Sequence, residues 1–559
     1  MRIFVPMEEM LVEGIPCIIK YTEGPKTELY NLWRASLGKE DNQLPPKSAI
    51  HYLLNCETVP EKEKKSIVGI TFFSIDKIML IRATKNTGLF KSRLELAEKI
   101  GWYPYITGVP LPSSPVSETV NKYISEVPFT TNKKTDGPIH LIPIATISNY
   151  NSFLLKIGEL GILLDAGIFP STKRRVDLDE IDLVFISHDH SDHTSGLTQL
   201  YEEGCTAKII ATCTTLDFLF IKGERRLPLS LKKSIIPIKY DKPITINESI
   251  KLTPLNAGHV PGSAMALIER GEERILYTGD FCLRDHYPVK SAKKVFDTIG
   301  KLDCIIMECN FAGTNFSPYI ESFSVLCDTC EKTLKEGKHI LIAAEPEVMT
   351  QSLFHAFYRY FRKSSLGYKP PVYIENSAVQ YMQATRTRLD DLPFEFQKRI
   401  INERDPYSSA MIRKMDSDEA IGDALEQPSI IITNSFGPMR PPSSLMIEIF
   451  KDQSNLFVLT GADGRRFMES LGYNKTIRIG RVNTKINCRI FNLIYRNFNL
   501  AYHCDSAQLD YALSKVRPKI LIPFHFSESR LKSVIAMGIK SHSKVIVPYH
   551  KNDIILKKI

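Results

Sequence analysis

Residues 181–197 read IDLVFISHDHSDHTSGL, and no other stretch constrains this chain as strongly. A short apolar run, the signature of a buried strand, leads into His188, His190, Asp192 and His193, and a helix is expected to begin near Thr194. Three histidines and two aspartates thus fall within six residues. In a turn between a strand and a helix start, that spacing lets alternate side chains converge on two nearby points. Imidazole with carboxylate is the ligand set that suits zinc. A solvated polar loop is the plain alternative for this segment taken alone.

Further apolar runs surround it: IHLIPIAT, LGILLDAG, KIIATC, SIIPI, ERILYTGD and DCIIMECN. Each is closed by turn residues and suits a buried strand of a layered α/β protein. Several end in Asp, His or Glu. Polar residues at strand ends point into loops along one edge of a sheet, where a rigid scaffold can hold them in fixed geometry.

Four more site candidates follow from their settings. His259 in LNAGHVPGSA sits among turn residues that allow close backbone approach, and Asp280 ends the strand of ERILYTGDF behind a glycine. Asp280 is placed for a carboxylate that bridges two cations. Asp165 in ILLDAG and Asp182 in EIDLVFISH read as carboxylates that orient ligands, because a metal-bound histidine usually donates its other ring N–H to such a group. Capping a turn is the equally open alternative for both.

At 559 residues the chain exceeds one compact core, and about one domain per 100 to 200 residues suggests three or four. A hydrophobic share of 43% and a charged share of 24% are those of a globular protein. The start, MRIFVPMEEM, lacks the basic and apolar stretches of a signal peptide, and no segment reaches the roughly 20 apolar residues of a membrane span. A cytoplasmic location is therefore expected, with no membrane partner. Eleven cysteines without paired spacing suggest reduced thiols. Cys327 and Cys330 form a lone CxxC in a helical stretch, with no partner pair, and read as one helix face. Net charge +9 is compatible with a polyanionic partner and also with none.

The expected division is an N-terminal α/β unit over 1–108, a Pro-, Ser- and Thr-rich linker over 109–138, and the layered domain from 139 onward. Its first part would run to 311, a second α/β unit would occupy 312–501, and residues 502–559 would complete the layered domain.

The order LLDAG, HDHSDH, GHVPGSA and YTGD resembles the metallo-β-lactamase superfamily. Glu308 in DCIIMECN, 28 positions after Asp280, then His503 in AYHCD and His525 in PFHFS, 22 positions apart, narrow the likeness to its β-CASP nucleases, which include RNase J. The resemblance covers roughly residues 139–559. It implies a four-layer αββα metallo-β-lactamase core with an inserted α/β β-CASP domain at 312–501, beside a separate N-terminal α/β domain.

By that resemblance His188, His190 and His259 hold one zinc, Asp192, His193 and His525 a second, and Asp280 bridges them. Manganese or magnesium are the alternatives. His503 is the implied general acid, Glu308 holds its imidazole, and Asp165 supports the ligands. A histidine beside a carboxylate is suited to protonate a departing oxygen at neutral pH. The implied activity is a metal-dependent ribonuclease, endo or 5′-exo, leaving a 5′ phosphate and a 3′ hydroxyl. Within the family, histidine at the last motif accompanies RNA-processing members, so His525 favours RNA over DNA. The alternatives are a DNA exonuclease of repair and a metal-free scaffold subunit, with a homodimer or a processing complex as the expected assembly.

Two segments depart from the family pattern: IAAEPEVMTQSLF in the inserted domain and PIATISNYNSF in the first strand pair. Neither contains a proposed ligand. Basic clusters at Lys173, Arg174 and Arg175, at Lys222, Arg225 and Arg226, and at Arg465 and Arg466 could meet phosphates or simply be solvated. No P-loop, GxGxxG or GxxG segment occurs in residues 1–108, which argues against nucleotide-binding and KH modules there.

Overall fold

The computed structural model describes residues 7–24, 28–36, 43–83, 93–107, 111, 113–125, 127–145, 150–167, 177–223, 227–316, 319–366, 368–389, 392, 397, 405–409, 411–434, 443–460, 476–479, 482–492, 502–548 and 553–556. They fall into two compact units, each gathered from three stretches of chain. Met1–Pro112, Pro318–Val379 and Lys398–Leu500 form the first, and Ser113–Ser317, Gln380–Gln397 and Ala501–Ile559 the second. The basic residues Lys173, Arg174, Arg175, Arg225, Arg226, Arg465 and Arg466 lie outside the described residues.

The second unit is built on two seven-stranded sheets. One runs, in spatial order, Ile235–Ile238, Lys208–Thr212, Leu183–Phe185, Leu160–Leu164, Ser152–Ile157, Ile139–Ala145 and Ile554–Leu556. The other runs Ile244–Thr245, Ile250–Asn256, Ala264–Arg270, Glu273–Tyr277, Cys304–Glu308, Ile520–Phe524 and Lys544–Val545. Leu160–Leu164 and Cys304–Glu308 are buried at every position, which is why they read as unbroken apolar runs rather than alternating ones.

Three cores show the layering. Leu141, Phe153, Leu164, Tyr277, Ile306 and Phe524 come from both sheets and pack between them. Leu163, Val184 and Ile209 face helices on one outer side. Leu276, Ile305 and Leu521 face helices on the other. This is the αββα arrangement. Among the described residues no helix is long and apolar enough to cross a membrane.

The stretch 109–138, expected as a linker, carries the helix Pro115–Asn121 in the second unit, with Val116, Ser117 and Val120 buried. Its proline stands in the first helical turn and the Ser114 side chain accepts from Ser117 N, so the Pro-Ser text marks a helix start rather than a break. Further on, Lys133 pairs with Asp182 at 2.8 Å and Thr135 Oγ1 meets Ser249 Oγ at 2.6 Å. The segment is packed chain.

In the first unit, a mixed five-stranded sheet takes the order Met7–Val12, Ile15–Lys20, Ile67–Phe73, Ile78–Ala83 and Tyr103–Thr107. Ile50 and Leu53 of one helix and Leu96 of another bury its apolar face around Phe72 and Ile81. A six-stranded sheet in the same unit is parallel throughout, ordered Ile412–Met415, Val372–Glu375, Ile430–Asn434, Ile340–Ala344, Leu456–Leu459 and Arg489–Asn492. Parallel neighbours need crossover connections, which explains the strand-helix alternation of its sequence. The two parts touch: Lys369 Nζ donates to Tyr105 Oη at 3.1 Å. Cys327 and Cys330 are buried free thiols on the helix Tyr319–Lys335.

Candidate metal centre

Sheet register decides where the polar strand ends go. Leu164 pairs with Phe185 in one sheet, and Ile306 pairs with both Tyr277 and Ile522 in the other, all in parallel. Asp165, the loop from His188 to His193, Asp280, Glu308 and His525 therefore leave their strands at a common edge. His259 follows Ile250–Asn256, whose direction matches Glu273–Tyr277 because both run antiparallel to Ala264–Arg270. It reaches the same edge.

There the side chains form three overlapping groups: His188, His190, His259 and Asp280; Asp192, His193, Asp280 and His525; and Asp280, Glu308, His503 and His525. Within each group the potential ligand atoms lie within 4.8 Å of one another. Asp280 belongs to all three. Its Oδ2 is 3.7 Å from His188 Nε2, 3.3 Å from His193 Nε2 and 3.7 Å from His259 Nε2, and its Oδ1 is 2.9 Å from His525 Nδ1. Asp192 Oδ2 lies 3.5 Å from His193 Nε2 and 3.3 Å from His525 Nε2. His503 Nδ1 stands 3.0 Å from Glu308 Oε1.

Burial differs across the cluster in a useful way. His188, His193, His259, Asp280 and Glu308 are fully enclosed, whereas the side chains of Asp192, His525 and His503 keep 27%, 13% and 15% of their surface. The last three form the open side, from which a substrate can approach.

Asp165 supports two of the candidate ligands. Its carboxylate lies 2.6 Å from His193 Nδ1 and accepts from Ser187 N and Ser187 Oγ, each at 2.7 Å, and from Tyr277 Oη at 2.6 Å. Ser187 Oγ is in turn 3.0 Å from His188 Nδ1, so one carboxylate fixes two imidazoles. Asp165 adopts φ 57° and His525 φ 53°, a strained conformation that persists where surroundings over-determine it. Gly279 fits the same picture: at φ 51°, a Cβ there would lie 2.5 Å from Ser187 Cβ.

Asp182 corrects the sequence expectation. It stands at the opposite end of its strand, pairs with Lys133 and accepts from Gly161 N at 2.9 Å, so it orients no ligand. Three supporting residues went unrecognised in the sequence. Asn151 Nδ2 is 3.2 Å from Asp192 Oδ2 and 3.1 Å from His193 Nε2. Tyr277 is wholly buried, and a buried tyrosine calls for a hydroxyl partner, but sequence could not say which. His286 Nε2 donates to Gly258 O, 3.0 Å away beside His259, and burial pushes the ring down to about 3, so it is neutral.

Electrostatics favour cations here. Burial first, then the neighbouring imidazoles, push His188 and His259 well below the usual histidine range. Burial opposes charge on His193 and His525 as well, but Asp280 and Asp192 outweigh it, raising His193 far up and His525 to about 9. His188 Nε2 is buried and makes no hydrogen bond, although it points at Asp280. A buried nitrogen without a partner, in a group of five imidazoles and two carboxylates, is the donor chemistry of a two-zinc site. The residues fit such a site.

Fold and site together define a protein of the metallo-β-lactamase class, and residues 162–323 match the family model described as the beta-lactamase superfamily domain. Those residues carry that superfamily's domain. It is 26% identical to a transcription termination factor, FttA, of Methanothermobacter thermautotrophicus, over 92% of this chain and 90% of that one. It is 26% identical to an RNase J-like protein of Methanocaldococcus jannaschii, over 54% and 72%, and 24% identical to a ribonuclease, TTHA0252, of Thermus thermophilus, over 53% and 68%. These relatives are β-CASP nucleases, the group whose motifs this chain carries.

Proposed function

We propose that this chain is a two-metal ribonuclease that hydrolyses RNA phosphodiester bonds to a 5′ phosphate and a 3′ hydroxyl. The observation that carries the proposal is Asp280 shared among three donor groups, with His503, held by the enclosed Glu308, at their open side. The nuclease and termination-factor relatives support it.

His188, His190 and His259 would hold one zinc ion, and Asp192, His193 and His525 the other, with Asp280 common to both. When bound, two such ions supply a nucleophilic hydroxide near neutral pH and charge stabilisation for an in-line displacement. The protein's own groups do the rest. Asp165 keeps His193 and, through Ser187, His188 in ligand orientation. Glu308 Oε1 fixes one face of the His503 ring by its contact with Nδ1, leaving Nε2 to donate a proton to the departing 3′ oxygen. Its second oxygen accepts from Asn310 N at 3.0 Å, which holds the carboxylate itself.

On this reading residues 139–311 and 502–559 form the catalytic domain, residues 312–501 the inserted domain that helps hold RNA, and residues 1–108 a substrate-positioning or protein-binding module. The protein would act in the cytoplasm. The test combines metal analysis with cleavage of 5′-labelled RNA and DNA by wild type and His503→Ala. About two zinc per chain and RNA cleavage lost in the variant are expected. Degradation of DNA alone would replace RNA by DNA as substrate, and a metal-free, inactive chain would leave a scaffold role. Product lengths over time separate endo from 5′-exo cutting.

A further inference from the structure

The helix Cys213–Gly223 has no solvent face over residues 214–220, all of which are buried. Such a helix carries polar side chains at a cost unless each finds a partner. Here the partners are informative. At its start, Thr212 Oγ1 and Thr215 Oγ1 both donate to Gly262 O, at 2.6 and 3.0 Å, in the turn that follows His259. A Cβ on Gly262 would lie 2.6 Å from Thr214 Cβ and 2.7 Å from Thr215 N, so that turn rests directly on the first helical turn.

At the other end, Lys222 Nζ lies 2.8 Å from Asp189 Oδ2 and also donates to Asp189 O at 3.0 Å. Asp189 stands between His188 and His190, and its side chain is completely buried. A buried carboxylate is tolerated when a cation accompanies it. Because one ammonium holds both the side chain and the backbone carbonyl of Asp189, it fixes that residue's position and its peptide orientation together.

Between the two ends, the buried Asp217 carboxylate receives Arg388 Nε at 2.7 Å, Arg388 Nη2 at 2.9 Å and Ser117 Oγ at 2.6 Å. The arginine contact is bidentate, so it sets direction as well as distance. Arg388 lies in residues 380–397, the part of the expected insertion that groups with the second unit. Asp217 and Lys222 are five residues apart, about 7.5 Å along a helix, and a buried helix transmits displacement as a rigid body.

We propose that the helix Cys213–Gly223 is a spine joining the two ligand loops, in which Lys222 and Asp217 are positioning residues that tie Arg388 of the inserted segment to His188 and His190. The inference rests on reading those histidines as metal ligands and is independent of the substrate. It makes the inserted segment part of what shapes the metal centre, beyond any contact it has with nucleic acid.

The test uses full-length protein stripped with chelator and reloaded with cobalt(II), whose visible absorption reports ligand geometry. Affinity is read by competition with a chelator. Lys222→Met is expected to weaken cobalt binding about 10- to 100-fold, the range typical for residues that orient ligands, and Lys222→Arg to restore most of it. Should Lys222→Met not fold, Asp189→Asn with Lys222→Met removes the buried charge together with its partner and is expected to show the same loss. Arg388→Met is expected to alter the cobalt spectrum, which a contact serving only stability would leave unchanged. Wild-type affinity in the Lys222 variants, single or paired, or an unaltered spectrum in Arg388→Met, would overturn the coupling while leaving the metal site standing. A wild-type chain that binds no cobalt would instead remove the metal site, and the coupling with it.

Discussion

Glu308 Oε1 lies 3.0 Å from His503 Nδ1 across 195 residues of sequence, with the glutamate fully enclosed and the histidine ring partly open. A ring held on its buried side and free on the other is suited to hand a proton outward. His503→Ala should lower kcat for RNA cleavage by about 10²- to 10⁴-fold, the usual contribution of a positioned acid, with bound metal unchanged. Steady-state kinetics beside metal analysis would check this. Loss of metal along with activity would assign His503 to ligation instead.

Asp165 receives four donor groups from three neighbours, Ser187, Tyr277 and His193, and asparagine offers one acceptor oxygen and an amide that faces donors. Asp165→Asn should therefore reduce metal affinity about 10- to 100-fold. It should also cost about 2 to 3 kcal/mol of stability from unmet hydrogen bonds. Chelator competition and denaturant unfolding measure the two effects separately.

His525 is lifted to about 9 chiefly against its burial, by Asp280 and Asp192. An imidazole that binds metal must be neutral, so in chelator-stripped protein at pH 7.5 its proton has to leave when metal enters. Metal uptake should release protons, and affinity should rise with pH up to about 9, at most tenfold per unit from this group. Calorimetry in buffers of different ionisation heat reads the proton count directly. Zero release between pH 7 and 8 would contradict the protonated state of His525.

Gly279 precedes the shared Asp280 at φ 51°, with Ser187 Cβ 2.5 Å from where a Cβ would stand. Gly279→Ala should cost about 1 to 3 kcal/mol through backbone strain alone, and the clash adds to it. Because Ser187 also bridges Asp165 to His188, the same change should loosen metal binding. Thermal unfolding with and without zinc separates these outcomes: a variant as stable as wild type and equally stabilised by zinc would show that the turn can relax.

The local sequence determined a great deal here. Unbroken apolar runs such as LGILL and CIIME mark strands covered on both faces, and polar residues after them mark loops at a sheet edge. Both are properties of a few consecutive residues, so the strands and the histidine and aspartate candidates were legible without coordinates. Only tertiary structure distinguished Asp165 from Asp182. Each flanks a buried strand in the sequence, but one leaves the strand at the edge bearing the histidines and the other enters at the far end. It alone also brought Asn151 and Tyr277 to the histidine and aspartate cluster, turned the Pro-Ser stretch into a packed helix, and paired Lys222 with Asp189. Sheet register and helix packing decide those partnerships, and they join residues whose separation along the chain carries no record of their distance in space.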